Sequence, residues 1–107
     1  MACTRQADVV GVARGTGGGR TLLLLAHTDT LGVIRMDAPF SARREGGRLY
    51  GRGSYDMKGG LAAAMGAAAA VRGLAGDLVV AAVCDEEAGS LGTRRCWPAA
   101  CRWTPRS

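Results

Sequence analysis

The apolar positions fall into short runs, and each run is closed by glycine or by polar residues. "DVVGVAR" (8–14) reads as a strand, "GTGGG" (15–19) as a turn, and "RTLLLLAH" (20–27) as a second strand. Two strands joined by a short glycine loop predict a hairpin. Residues 28–47 are polar and irregular, with Pro39 and a turn at Gly46-Gly47. A short strand is expected around Leu49 and Tyr50, followed by a glycine-rich loop. "MKGGLAAAMGAAAAVRGL" (57–74) predicts a long helix, because alanine is the strongest helix former. "DLVVAAVC" (77–84) is almost continuously apolar, as in a strand covered on both faces.

Strand, helix and strand in that order predict a βαβ unit with a right-handed crossover. The fold class read from this pattern is α/β, with a mostly parallel sheet, a hairpin and the Ala-rich helix on one face. Two apolar strands end abruptly in polar groups, His27 with Asp29 and Asp85 with Glu86 and Glu87. Sites in open α/β sheets form beyond the carboxyl ends of the strands. Parallel strands would bring both clusters to one edge.

Composition changes this picture little. The 107 residues are 48% hydrophobic, enough for one small domain with a modest core. The net charge is +5, but it is uneven. Residues 1–93 carry ten Lys and Arg against nine Asp and Glu, whereas residues 94–107 carry four arginines and no acid. The basic balance therefore belongs to the tail and is weak support for a nucleic-acid surface. No secretory leader or membrane-spanning run is read, so the expectation is a cytoplasmic chain without a membrane partner. Cys3, Cys84, Cys96 and Cys101 form no disulfide framework and read as free thiols. "GTGGGR" lacks the Lys-Ser/Thr ending of a phosphate loop and leads into a strand, so phosphate binding is not expected there.

The candidate chemistry lies in His27, Asp29, Asp56, Glu86 and Glu87. One imidazole with several carboxylates suits zinc or another borderline divalent ion. Residues i and i+2 of an extended segment share a face, so His27 and Asp29 can lie together. A carboxylate beside an imidazole fixes its tautomer. Adjacent Glu86 and Glu87 sit where the chain turns, so one can hold metal while the other moves a proton.

"LLLLAHTDTLGV", "GRLYGRGSYDMKGGLAAAM" and "VVAAVCDEEAGSLGT" together resemble the M20 family of metallopeptidases, from about residue 8 to residue 93. The resemblance implies a two-zinc hydrolase of amide or peptide bonds, with cobalt as an alternative metal. His27 would bind one ion, Asp56 would bridge both, and Glu87 would bind the other. Asp29 would orient His27, and Glu86 would be the general base for the attacking water. The Asp56-Met57 peptide would be cis. Substrates would be N-acyl amino acids or small peptides.

Members of the family carry more than this chain does: a further acidic ligand, a second histidine ligand and an inserted lid domain that often forms a homodimer. His27 is the single histidine. Each ion would thus keep two of three protein ligands, and the chain reads as a partial catalytic domain (1–93) with little or no turnover of its own. A non-catalytic metal-binding or interaction fragment, completed by another chain, is the alternative. Residues 94–107, "RRCWPAACRWTPRS", show no usable periodicity and read as an irregular basic tail. Written in GC-rich codons, one added G after the first converts the tail to "RALLAGRVPVDAAI". That sequence would continue the fold as the family does, so a frameshift is one reading of the tail, and a disordered basic tail is the alternative.

Overall fold

The structure, a computed structural model, describes residues 8–101. Strands β1 (Val9–Ala13), β2 (Leu22–His27) and β5 (Leu78–Val83) form one sheet in the order β1-β5-β2. β3 (Arg43–Glu45) and β4 (Arg48–Tyr50) form a separate hairpin. Helix α1 (Gly59–Ala70) lies between β4 and β5 in the chain, and α2 (Leu91–Cys101) follows β5.

β5 is central because it is the strand whose residues can be buried on both faces. Ala81 and Val83 pack with Cys96 of α2 and with Leu23, while Val80 on the alternate face lies beside Met65, Ala68 and Ala69 of α1. β2 runs parallel to β5, with His27 opposite Val83. The βαβ unit β2-α1-β5 is therefore present, and both strands end at the same edge.

The expected hairpin between the first two strands does not form. β1 pairs antiparallel with β5, Val9 opposite Ala82, and β2 lies on β5's other side. The sheet is accordingly mixed. The physical reason lies in the glycine loop, which passes close to the entry of β5 instead of turning back on itself. Thr16 N–H donates to the Leu74 carbonyl at 2.8 Å, and Gly17 N–H to that of Ala75 at 2.9 Å. Side chains at Gly15, Gly19 or Gly76 would collide with the backbone of the facing segment. These bonds engage the amides of Thr16 and Gly17 within the chain.

The Gly46-Gly47 turn forms as expected. Both residues have positive φ, 55° and 75°, the values a two-residue hairpin needs. The helix is shorter than its composition suggests. A separate turn, Ser54–Lys58, precedes it, with Asp56 and Met57 in non-helical conformations and a cis peptide between them. At the other end Val71 becomes extended, and Arg72 Nη1 donates to the Ala69 and Val71 carbonyls at 2.6 and 2.7 Å. A cation there satisfies carbonyls left open by the helix end.

The irregular reading of 94–107 is corrected in its first part, since α2 continues through Cys101. Cys96 inserts into the core and supplies an apolar anchor for α2. The remainder of that tail, and Cys3, lie outside the described residues. Cys84 and Cys96 are buried free thiols. Burial, with Asp8 and Asp85 nearby, pushes the Cys84 thiol up to about 11.

Candidate metal centre

Three segments converge beyond the carboxyl ends of β2 and β5. β2 delivers His27, the loop after it carries Asp29, the turn before α1 carries Asp56, and the loop after β5 carries Glu86 and Glu87. The parallel register of β2 and β5 places the first and last of these groups side by side. A ligand nitrogen of His27 and carboxylate oxygens of Asp56 and Glu87 all lie within 4.8 Å of one another.

His27 is 6% exposed. Its Nδ1 lies 3.0 Å from the Asp29 main-chain oxygen, and its Nε2 lies 3.0 Å from Asp56 Oδ1. Both partners are acceptors in their ordinary ionised or carbonyl forms. A neutral imidazole has one N–H and one lone pair. Either neutral tautomer therefore sets a lone pair against an oxygen. Positive charge between Nε2 and Asp56 removes the conflict, whether it is a proton or a metal ion. Burial pulls the His27 pKa down, but the bonds to Asp56 and the Asp29 backbone, and both carboxylate charges, outweigh it and raise it above the ordinary value. One imidazole and two carboxylates form a donor set that fits a borderline divalent cation.

Asp29 does more than was expected of it. The histidine is held mainly by the Asp29 main chain; the nearest carboxylate oxygen is 3.5 Å from Nδ1. The two carboxylate oxygens instead accept consecutive amides of the next loop, Glu86 N–H at 3.2 Å and Glu87 N–H at 3.0 Å. Burial would raise the Asp29 pKa, but the Glu87 and Glu86 amides outweigh it and hold it below the ordinary carboxylate value. Asp29 thus ties the end of β2 to the loop that carries both glutamates.

That loop turns tightly. Asp85 and Ser90 have positive φ, 57° and 59°, and Ser90 N–H closes the turn on the Asp85 carbonyl at 2.6 Å. Glu87 is half-buried and joins His27 and Asp56, while Glu86 is exposed and lies outside that triad. Both line a cleft of about 490 Å³ with His27, Asp56, Met57, Ser90 and Thr93. All five residues singled out in the sequence therefore lie at one edge of the sheet. Sequence reasoning missed Ser90 and Thr93, which carry no local signal. It also passed over Lys58, whose Nζ donates to the Thr28 carbonyl at 2.5 Å.

Among the described residues, no helix is long and apolar enough to cross a membrane. Residues 23–103 match peptidase family M20/M25/M40. The chain is 38% identical over 99 residues to N-formyl-4-amino-5-aminomethyl-2-methylpyrimidine deformylase of Halalkalibacterium halodurans, covering 83% of this chain and 23% of that enzyme. It is 37% identical over 82 residues to succinyl-diaminopimelate desuccinylase of Novosphingobium aromaticivorans, covering 75% and 22%. It is 35% identical over 95 residues to acetylornithine deacetylase of Myxococcus xanthus, covering 84% and 24%. The chain thus spans about a quarter of the length of these curated relatives. The matched region contains the His27, Asp56 and Glu87 cluster and the loops that place it, and the chain belongs to peptidase family M20/M25/M40.

Proposed function

We propose that this chain carries the metal-holding and proton-transfer groups of an amide-bond hydrolase. The observation that carries the reading is the His27–Asp56–Glu87 cluster, in which an imidazole lone pair and two carboxylates converge without a lysine or arginine ion pair among the described residues. A bound divalent ion supplies positive charge that polarises an amide carbonyl and acidifies water. His27, Asp56 and Glu87 would hold it. In the two-zinc arrangement implied by the family resemblance, Asp56 would serve both ions, with His27 holding one and Glu87 the other. Cobalt is the natural substitute.

Glu86 stands at the same cleft with its carboxylate exposed. Its task is to take a proton from the attacking water and pass it to the departing amine. Asp29 positions the Glu86 and Glu87 amides, so it acts on both roles through the backbone. The relatives are named as a deformylase, a desuccinylase and a deacetylase, so the substrate class proposed is a small N-acyl compound or peptide. With three converging metal-binding side chains among the described residues for two ions, turnover by the 107-residue chain is expected to be weak or absent.

Titration with cobalt(II) tests the site, and hydrolysis of N-acetyl and N-succinyl amino acids tests the activity. His27→Ala should weaken cobalt binding at least about a hundredfold, because losing a ligand exceeds the loss of a supporting group. Glu86→Gln should leave that binding in place and abolish any turnover. Cobalt binding unchanged by His27→Ala would overturn the assignment.

A further inference from the structure

We propose that Lys58 is a positioning residue, whose ammonium hooks the Thr28 carbonyl and sets the spacing between His27 and Asp56. The inference rests on the metal reading above and deepens it.

His27 and Asp56 belong to segments with separate anchors. Thr28 N–H and Oγ both bond the Val83 carbonyl, at 2.8 and 3.2 Å, which fixes the β2 end to β5. The Asp56 turn is closed within itself: Lys58 N–H donates to Gly53 O at 2.9 Å, and Ser54 Oγ to Gly51 O at 2.8 Å. The direct link between the two segments is the His27–Asp56 contact. That contact cannot set the spacing once a cation lies between the groups, because each then bonds the cation. A second tie is needed, and Lys58 provides it. Its Nζ reaches the carbonyl of the residue next to His27, at 2.5 Å.

The local packing is shaped to admit this side chain. Gly53 is buried, with φ of 77°. A Cβ on it would lie 2.5 Å from Thr30 Cγ2 and 3.2 Å from Lys58 Cε. The lysine stem and the Thr30 methyl thus cross over Gly53, one from each segment. Helix stability does not account for a lysine here. Lys58 is the N-cap residue immediately before α1, and a cation at a helix N-terminus opposes the helix dipole. A charged donor on a main-chain carbonyl is a strong hydrogen bond, and ligand distances in metal sites tolerate only a few tenths of an ångström.

The test compares the wild-type chain with Lys58→Met and Lys58→Arg by amide hydrogen exchange without metal and by cobalt(II) titration. In K58M the Thr28 amide and those of residues 53–58 should exchange about tenfold faster or more, while the β5 amides keep their protection. Cobalt affinity should fall about tenfold to a hundredfold, with a changed visible spectrum, and K58R should restore most of both. A merely structural lysine would leave the cobalt spectrum unmoved. A wild-type cobalt affinity and spectrum in K58M, with or without faster exchange, would overturn the proposal. If the wild-type chain takes up no cobalt but K58M still loosens Thr28, the metal reading falls and the tie between the segments stands. Should loss of β5 protection show that K58M unfolds, Lys58→Gln carries the same comparison.

Discussion

The two ends of β5 present aspartates in opposite circumstances. At its start, Asp77 accepts Gly15 N–H at 2.9 Å and pairs with Arg14 at 2.7 Å. Beyond its other end, Asp56 and Glu87 meet a single buried imidazole. The first end is closed: carboxylate, guanidinium and glycine backbone satisfy one another, and the glycine loop passes at close range over the segment that leads into β5. The second leaves negative charge and a nitrogen lone pair converging on a shared point. Residues of the same chemical kind thus serve structure at one end and are available to a ligand at the other. The difference is the counter-charge. An arginine answers the carboxylate at the closed end, whereas among the described residues Asp56 at the open end pairs with a histidine, a group that must first be protonated or metallated.

The closed end should be the more sensitive to added volume. Gly76→Ala places a methyl against the Arg20 carbonyl and the Gly19 backbone, where no flexible side chain can move aside. A loss of about 4 kcal/mol, or failure to fold, is expected. A urea midpoint within error of wild type would show that the crossing is looser than described.

The open end should titrate in the metal-free chain, with opposite signs from its two shifted groups. The raised His27 pKa contributes stability that is complete below its unfolded value and disappears as pH rises through its folded value. The lowered Asp29 pKa contributes stability that is complete above its unfolded value and disappears as pH falls through its folded value. Both contributions are complete between about pH 4 and about pH 6.5, the unfolded values of the two groups. Urea midpoints across pH 2–9 should therefore peak in that interval. Asp29→Asn should flatten the acid limb and, by removing one of the two charges beside His27, shrink the alkaline limb without abolishing it. An acid limb unchanged by that substitution would remove Asp29 from the account.

The smallest effect should come from the counter-charge itself. Arg14 is 49% exposed in its pair with Asp77, so Arg14→Ala should cost no more than about 1 kcal/mol. A larger change in the urea midpoint would mean that the guanidinium organises the glycine crossing as well as screening Asp77.

Much of the open end was legible before the fold was known. His27 and Asp29, and Glu86 and Glu87, sit where an apolar run stops, Asp56 sits in the loop just before the Ala-rich run, and a polar residue at such a boundary is not needed for the core. The neighbouring strand of β1 was not legible. A glycine loop between two strands reads locally as a hairpin, and only Leu74, Ala75 and Gly76, some sixty residues later, show what the loop packs against. α2 was missed because residues 94–101 offer no repeating apolar face; among the described side chains, Cys96 packs into the core. The helix limits were overread because alanine favours helix without marking where helix begins or ends. Those limits come from the Asp56–Met57 turn and from Arg72.

By itself the sequence determined strands β1, β2, β4 and β5, the Ala-rich helix, the βαβ order and the residues able to carry chemistry, since periodicity, propensity and functional-group type are local properties; β3, inside the polar stretch 28–47, is a strand only through its pairing with β4. Tertiary structure alone decided that β5 separates β1 from β2, that Asp29 grips the glutamate loop by its amides, and that Lys58 reaches Thr28. Each of those depends on which backbone groups remain unbonded once the strands have paired, and pairing joins residues that are far apart in the chain.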